Sequence, residues 1–324
     1  MASSSSPSQV ICASFNQDNS LFSVGTRHGF RIFDARNGRL CYEKHLGGFN
    51  VVEMLFGTSL LAIVGTGEQP AMSPRRLCLF NTKTGVPKKD LNFKTSILAV
   101  RLSRKRLVVV LQSRTFVYDL NSTTILDEIE TVPNTKGKNP TAVCLCAFAP
   151  NSEECYLALP ASTSKGSALV YKASEPELIC QIDAHQAPLA AMVFSSNGMY
   201  LATASEKGSL HMFFLDAARN GRRQGNTLLS SVIPGSVTDA LDPANHHVIH
   251  NVVPGDIKSC LAVHSVENSQ NSSKLPALKT VIYIITHNGY FREYVISTTK
   301  SNESSWSLER EFSLLEAGLS SQAE

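Results

Sequence analysis

Two adjacent arginines, Arg222 and Arg223, stand in the stretch Asn220-Gly221-Arg222-Arg223-Gln224-Gly225. A guanidinium is a planar fork of N–H donors that grips phosphate oxygens two at a time, so the pair is a candidate anion site. Its frame of Asn, Gly and Gln reads instead as a turn in solvent. There the pair supplies only a diffuse attraction to an anionic bilayer, about 1 kcal/mol for each residue near such a surface. Two shorter basic clusters, Pro74-Arg75-Arg76 and Ser103-Arg104-Lys105-Arg106, also read as solvated turns. His246-His247 with Asp242 is a tempting catalytic cluster, but no nucleophile or paired carboxylate accompanies it. The chain has no GxSxG, no HExxH and no phosphate-cradling GxxxxGKS/T. Among 8 cysteines there is no CxxC, and the single CxC, Cys144 and Cys146, lies on a strand-like run with no second pair to complete a zinc site. Buried thiols are the reading, and no metal, cofactor or enzymatic activity is expected.

These residues must be held by something, and the chain of 324 residues has the length of one large β domain or two average ones. Hydrophobic residues make up 43% and charged residues 18%, the balance of a folded protein. A net charge of +3 is too small to argue for nucleic-acid binding. The start, MASSSSPSQV, lacks a positive region and an apolar run, and no stretch is apolar for long enough to span a bilayer. A reducing cytoplasmic setting is expected.

Short apolar runs separated by Gly, Asn, Asp or Ser fill most of the chain: ICASF, LFSVGT, GFRIFD and RLCYEK come first, and AVCLCAFA, CYLALPA, SALVYKA and LICQIDAH come later. They fall into groups of about four, each group about 40–45 residues long, which is the period of propeller blades. The third run of several groups ends alike, as FRIFDARNG, LCLFNTKTG, TFVYDLNST and ALVYKASEP, an aromatic followed by a polar turn. Long amphipathic helices, which a barrel or doubly wound fold needs between its strands, are missing from the pattern. The fold class is therefore all-β, a WD-repeat-type β-propeller. Residues 1–9 are expected to be disordered and 10–299 to form the propeller, with loop insertions at about 216–258 and 265–278. Residues 300–324 form a tail in which SLEREFSLLEAG suggests a short helix.

AHQAPLAA and LATASEKG resemble the PROPPIN family, the phosphoinositide-binding β-propellers of autophagy. FNQDNSLFSVGTRHGFRIF is similar to the family's first blade, and the late segments LLSSVIPGSVTDALDPANHH and VIYIITHNGYFREYVI are similar to its plant branch. The resemblance implies a seven-bladed propeller with a Phe-Arg-Arg-Gly motif on the fifth blade, each arginine serving one rim pocket for phosphatidylinositol 3-phosphate or the 3,5-bisphosphate. That motif is absent here. The chain passes from ATASEKG to SLHMFFLDAARNGRRQG, which resembles the third strand of the family's sixth blade. An internal deletion of about one blade near Gly208 explains this, joining two strands of one blade to the later strands of the next with the hydrophobic alternation kept. About six blades are then expected.

By the same resemblance, His185, Thr203, Ser205, Gly208 and Ser209 match half of the first phosphate pocket. The bland reading of these residues is ordinary blade structure, a strand-entry histidine with hydroxyls capping a turn. The arginine expected after Ser209 is replaced by His211-Met212. Leu228, Leu229, Val232, Ile233 and Val237 match the family's membrane-inserting loop, and a loop packed on the propeller rim is the equal alternative. The resemblance implies a lipid-binding scaffold in autophagosome formation, with binding weakened by loss of the arginines. It would be recruited from the cytoplasm to preautophagosomal, endosomal or vacuolar membranes together with other autophagy proteins. The competing expectation is a lipid-blind interaction module or a non-functional splice form.

Overall fold

The polar turn that repeats in the sequence is a repeated hydrogen-bonding device. At Asp34 the side chain accepts from the Arg36 amide at 2.8 Å, and the Asp34 carbonyl accepts from the Gly38 amide at 2.8 Å. The carbonyls of Asn81 and Asp119 accept in the same way from Gly85 at 2.8 Å and Thr123 at 2.9 Å. Each turn closes on a left-handed residue, with φ of 72° at Gly38, 71° at Gly85 and 56° at Thr123. Glycine adopts that conformation without penalty, whereas a β-branched threonine is strained in it.

The computed structural model describes residues 10–69, 72–133, 145–195, 197–205, 210–215, 259–266, 278–298 and 304–315. Six antiparallel sheets form among them, each ordered as its strands follow one another along the chain. The first holds β1 (Cys12–Phe15), β2 (Leu21–Gly25), β3 (Phe30–Asp34) and β4 (Leu40–Lys44). The second holds β5 (Phe49–Met54), β6 (Leu60–Gly65), β7 (Arg76–Asn81) and β8 (Val86–Asn92). The third holds β9 (Ala99–Leu102), β10 (Arg106–Val110), β11 (Arg114–Asp119) and β12 (Ile125–Glu130). The fourth holds β13 (Ala147–Phe148), β14 (Tyr156–Pro160), β15 (Gly166–Lys172) and β16 (Glu177–His185). The fifth has three strands, β17 (Leu189–Phe194), β18 (Tyr200–Ser205) and β19 (Leu210–Phe214). The sixth holds β20 (Ser259–Val266), β21 (Leu278–Thr286), β22 (Tyr290–Thr298) and β23 (Ser304–Ser313). The all-β, blade-by-blade organisation expected from the sequence is present.

The chain divides into two compact units, Met1–Ser73 with Thr82–Thr84 and Leu228–Glu324, and Pro74–Asn81 with Gly85–Thr227. In the first unit, the first and sixth sheets share one core. Phe22 stacks on Phe33 and Phe291 with ring centroids 5.1 and 5.0 Å apart, and Phe291 stacks on Phe312 at 4.9 Å. Two arginines tie the same sheets together at their backbones. Arg31 donates to the carbonyls of Leu314 and Leu315 at 2.9 and 3.1 Å and is oriented by Glu43 at 2.5 Å. Arg310 donates to the Ala35 carbonyl at 2.8 Å and pairs with Glu293. Bonds of this kind to charged donors satisfy carbonyls that would otherwise be left unpaired between sheets.

In the second unit, Val108, Val110 and Val117 of the third sheet bury against Leu157 and Leu159 of the fourth. Arg106 corrects its reading as part of a solvated turn. Its side chain is only 13% exposed, donates to the Ala173 carbonyl at 2.7 Å and also bonds the Ser174 carbonyl, so it is a clasp between sheets. The fourth and fifth sheets share Ala147, Ala158, Val170, Ile182, Phe194 and Leu201.

The terminal helix expected from SLEREFSLLEAG is not formed where that stretch is described. Ser304–Ser313 is the outer strand of the sixth sheet, so that sheet continues past residue 299. The local Leu-Glu-Arg-Glu preference for helix is overridden by cross-strand partners on β22. Arg292 pairs with Glu311 at 2.5 Å, Glu293 pairs with Arg310, and Phe291 receives Phe312. The two strands that flank the expected deletion point pair with each other. β18 pairs with β19 from Tyr200↔Phe214 to Ala204↔Leu210, which puts SLHMFFL in the third-strand place. The fourth strand expected there, the loop insertions at 216–258 and most of 265–278 lie outside the described residues.

Candidate functional site

The expected pocket residues that the structure describes are held where the fourth sheet meets the fifth. His185 is the last residue of β16, and Thr203 and Ser205 lie two apart on β18, sharing one face of that strand. All three are buried. The His185 ring reaches across the sheets, its Nε2 lying 2.9 Å from the Thr203 hydroxyl and 3.3 Å from the Thr203 carbonyl. A carbonyl can only accept, so the proton is assigned to Nε2 and is donated to Thr203.

β19 brings a second imidazole. Thr203 and His211 are cross-strand partners, and the His211 ring lies against His185 with centroids 4.4 Å apart and planes tilted by 32°. Burial lowers the His185 pKa from 6.5, the nearby His211 lowers it further, and the Thr203 backbone partly opposes the shift. His185 is therefore held neutral at pH 7. Outside this pair, Asp183 is held below the usual carboxylate range, first by the Gln181 side chain and then by Ser167, with Lys165 adding to the effect.

The approach of β16 to β15 depends on Gly166, which is the register partner of His185. A Cβ at this glycine would lie 2.5 Å from His185 Cβ and 2.6 Å from the Ala187 carbonyl oxygen. This is a close backbone approach that only glycine permits.

The arrangement offers hydroxyls, the neutral His185 ring and the His211 ring to a ligand. No guanidinium belongs to it among the described residues. Gly208 and Ser209 lie outside the described residues, as do Arg222 and Arg223 and the loop residues Leu228, Leu229, Val232, Ile233 and Val237. His185, Thr203 and Ser205 are thus brought together, and His211 joins them through its ring. The 4.4 Å ring contact was not legible from spacing, because it depends on which face of β19 turns toward the fourth sheet. Thiol chemistry has no support at Cys12 and Cys78, where burial is the chief cause that pushes each thiol up to about 12. Among the described residues, no group of three or more His, Cys, Asp or Glu side chains is placed to hold a metal.

A family model described as PROPPIN matches residues 9–223. The chain belongs to the PROPPIN family. Its relatives agree: autophagy-related protein 18b of Arabidopsis thaliana is 47% identical, the alignment covering 96% of this chain and 97% of that protein. Autophagy-related protein 18 of Dictyostelium discoideum is 40% identical over 63% of this chain and 53% of its own length, so this PROPPIN chain spans about half of that relative. The alignment with the Arabidopsis protein runs over 363 residues, more than the 324 of this chain, so the relative carries residues that this chain lacks. Among solved structures, the complex of KlAtg21 with the coiled-coil of AgAtg16 matches with a TM-score of 0.67 and 22% identity, covering 94% of this chain and 99% of that one. Kluyveromyces lactis Hsv2 with complete loop 6CD matches with a TM-score of 0.53 and 14% identity, over 95% of this chain and 99% of its own. These neighbours are PROPPIN propellers, and the fold of this PROPPIN chain is the same. No helix among the described residues is long and apolar enough to cross a membrane.

Proposed function

We propose that this PROPPIN chain is a non-catalytic scaffold of autophagy that contacts phosphatidylinositol 3-phosphate or the 3,5-bisphosphate only weakly. Family membership supports the autophagy role. The observation that carries the weakening is the state of His185, whose Nε2 proton is committed to Thr203 and whose ring is held neutral. A phosphate entering beside Thr203 and Ser205 meets hydroxyl dipoles and no fixed positive charge from the described residues. Charge-assisted bonds are about twice as strong as neutral ones, so the loss of the arginine forks removes most of the grip. In this reading the chain lacks about one blade near Gly208, and the residues that the Arabidopsis relative carries in excess are its counterpart. Gly208 and Ser209 complete the half-pocket. Arg222 and Arg223 supply diffuse attraction to the bilayer, and Leu228, Leu229, Val232, Ile233 and Val237 supply the apolar contact. The chain is recruited from the cytoplasm to preautophagosomal, endosomal or vacuolar membranes, and its protein partners are other autophagy proteins, for which the coiled-coil held by KlAtg21 is an example of the class.

Flotation with liposomes containing phosphatidylinositol 3-phosphate tests the proposal. Retention is expected to be weaker than that of an intact relative, to fall with salt, and to fall further in Thr203→Val and Ser205→Ala. Retention equal to the relative's, and unchanged by those substitutions, overturns it. The internal His185–Thr203 bond also favours a lipid-blind interaction module as a second reading, for which capture of autophagy partners without any flotation is the distinguishing result.

A further inference from the structure

Asn-Gly, a dipeptide that favours turns, occurs four times in the chain, at Asn37, Asn197, Asn220 and Asn288. The pair at Asn220 lies outside the described residues. In the other three the glycine is left-handed, with φ of 72° at Gly38, 73° at Gly198 and 93° at Gly289. A glycine that permits such a turn also leaves its amide nitrogen without a neighbouring Cβ to shield it. That nitrogen can attack Cγ of the preceding asparagine. A C–N bond forms and closes a succinimide ring, the Cγ–Nδ2 bond breaks, and the displaced nitrogen leaves as ammonia with the proton given up by the glycine amide. Water then opens the ring. Attack at Cγ leaves Asp, and attack at the backbone carbonyl carbon leaves isoaspartate, whose main chain runs through an extra methylene.

The three glycine amides are bonded alike, Gly38 to the Asp34 carbonyl at 2.8 Å, Gly198 to Ser195 at 2.9 Å and Gly289 to Thr286 at 2.9 Å, so the attacking nitrogen does not distinguish the sites. The asparagine side chains do. Asn37 Oδ1 accepts from the Arg39 amide at 2.9 Å. Asn197 Oδ1 accepts from the Met199 amide at 3.0 Å and from the Ser195 hydroxyl at 2.7 Å. These bonds fix the side-chain torsions, and turning Cγ onto the glycine nitrogen breaks them. Asn288 is exposed, and no described residue bonds its side chain.

The turn that carries Asn288 also fastens the first sheet's entry and the last described residues. The His287 carbonyl accepts from the Val10 amide at 3.2 Å, and the Gly289 carbonyl accepts from the Leu314 amide at 2.8 Å. A Cβ at Gly289 would lie 2.5 Å from Leu315 Cδ1, so the turn is seated without spare room. Val10 and Leu314 are buried in the core that the first and sixth sheets share. We propose that Asn288 is a site of spontaneous modification that converts to isoaspartate ahead of Asn37 and Asn197. The lengthened main chain draws the Gly289 carbonyl away from Leu314 and loosens the closure of the first sheet on the sixth.

Ageing the full chain at neutral pH tests this, with peptide mass spectrometry to follow the loss of each amide and fragmentation to tell isoaspartate from Asp. A neutral hydrogen bond that must break slows ring closure by about fivefold, so Asn288 should convert about fivefold faster than Asn37 and about thirtyfold faster than Asn197. The aged fraction that carries isoaspartate at 288, separated by ion exchange, should melt below the fresh protein. Fresh Asn288→Asp, which gains the same charge on an ordinary main chain, should melt with the fresh wild type. Asn288→Gln should hold its melting temperature through the same period of ageing. Conversion of Asn37 or Asn197 as fast as Asn288, or an isoaspartate form that melts with Asn288→Asp, overturns the inference.

Discussion

Gly166→Ala should destabilise the protein and disturb the candidate site together. The added methyl carbon would sit 2.5 Å from His185 Cβ, 2.6 Å from the Ala187 carbonyl oxygen and 3.0 Å from His185 Cδ2. Ordinary contacts of this kind lie at about 3.5–4.0 Å, so β16 or the segment after it must retreat by about 1 Å. Two of the three atoms are fixed to the backbone and cannot swing aside by changing rotamer. Overpacking of this kind costs about 3 kcal/mol. At about 2–4 °C for each kcal/mol in a large domain, the melting temperature should fall by about 6–12 °C. Gly57→Ala is the matched control, because nothing lies within 4 Å of the Cβ it would add. It should be neutral or gain up to about 1 kcal/mol through the unfolded state. Calorimetry or circular dichroism on the two variants reads the contrast. A Gly166→Ala protein that melts with the wild type would refute the close approach of β15 to His185, and with it the geometry assigned to the site.

Thr123→Gly should stabilise the protein by about 1 kcal/mol, since it replaces a β-branched residue at φ 56° with the residue that Gly38 and Gly85 supply in the sister turns; an unchanged denaturation midpoint would argue against the left-handed conformation. The lowered pKa of His185 predicts a pH effect of definite sign. As pH falls below 6.5 the unfolded chain takes up the proton before the folded one does, so the stabilisation from neutral His185 is complete above 6.5 and is lost as pH drops toward the depressed folded value. Urea unfolding at a series of pH values should show this loss in the wild type and a shallower one in His185→Gln; equal slopes would contradict it.

The repeated turn was the most legible feature of the sequence, because DARNG, NTKTG and DLNST state their own mechanism: an Asp or Asn to accept and a left-handed closing residue. The pairing of β18 with β19 was legible for a similar reason, since a slip by one residue would have turned Phe213 away from the core. β23 was misread because Leu-Glu-Arg-Glu carries a helical preference, while the partners that override it lie on β22 and cannot be seen locally. Arg106 was misread because no property of Ser-Arg-Lys-Arg reveals that the carbonyls of Ala173 and Ser174 will need a donor. Arg31 gave no signal at all for the same reason. His185, Thr203 and Ser205 were found by resemblance to a family, not by spacing, and His185's neutral state follows from burial that sequence does not display.

The arginine links between the first and sixth sheets bear on how the protein is made. Arg31 bonds Leu314 across 283 residues, and Arg310 returns to Ala35 across 275. During translation, the apolar surface of Phe22 and Phe33 leaves the ribosome long before Phe291 and Phe312 exist to cover it. The first sheet therefore waits for β22 and β23 to be made before its apolar face is covered, and long-range pairing of this kind folds slowly. A stop codon that removes only β23 and the residues after it would strand the opposite end of the polypeptide, so late nonsense mutations should deplete the protein as severely as early ones.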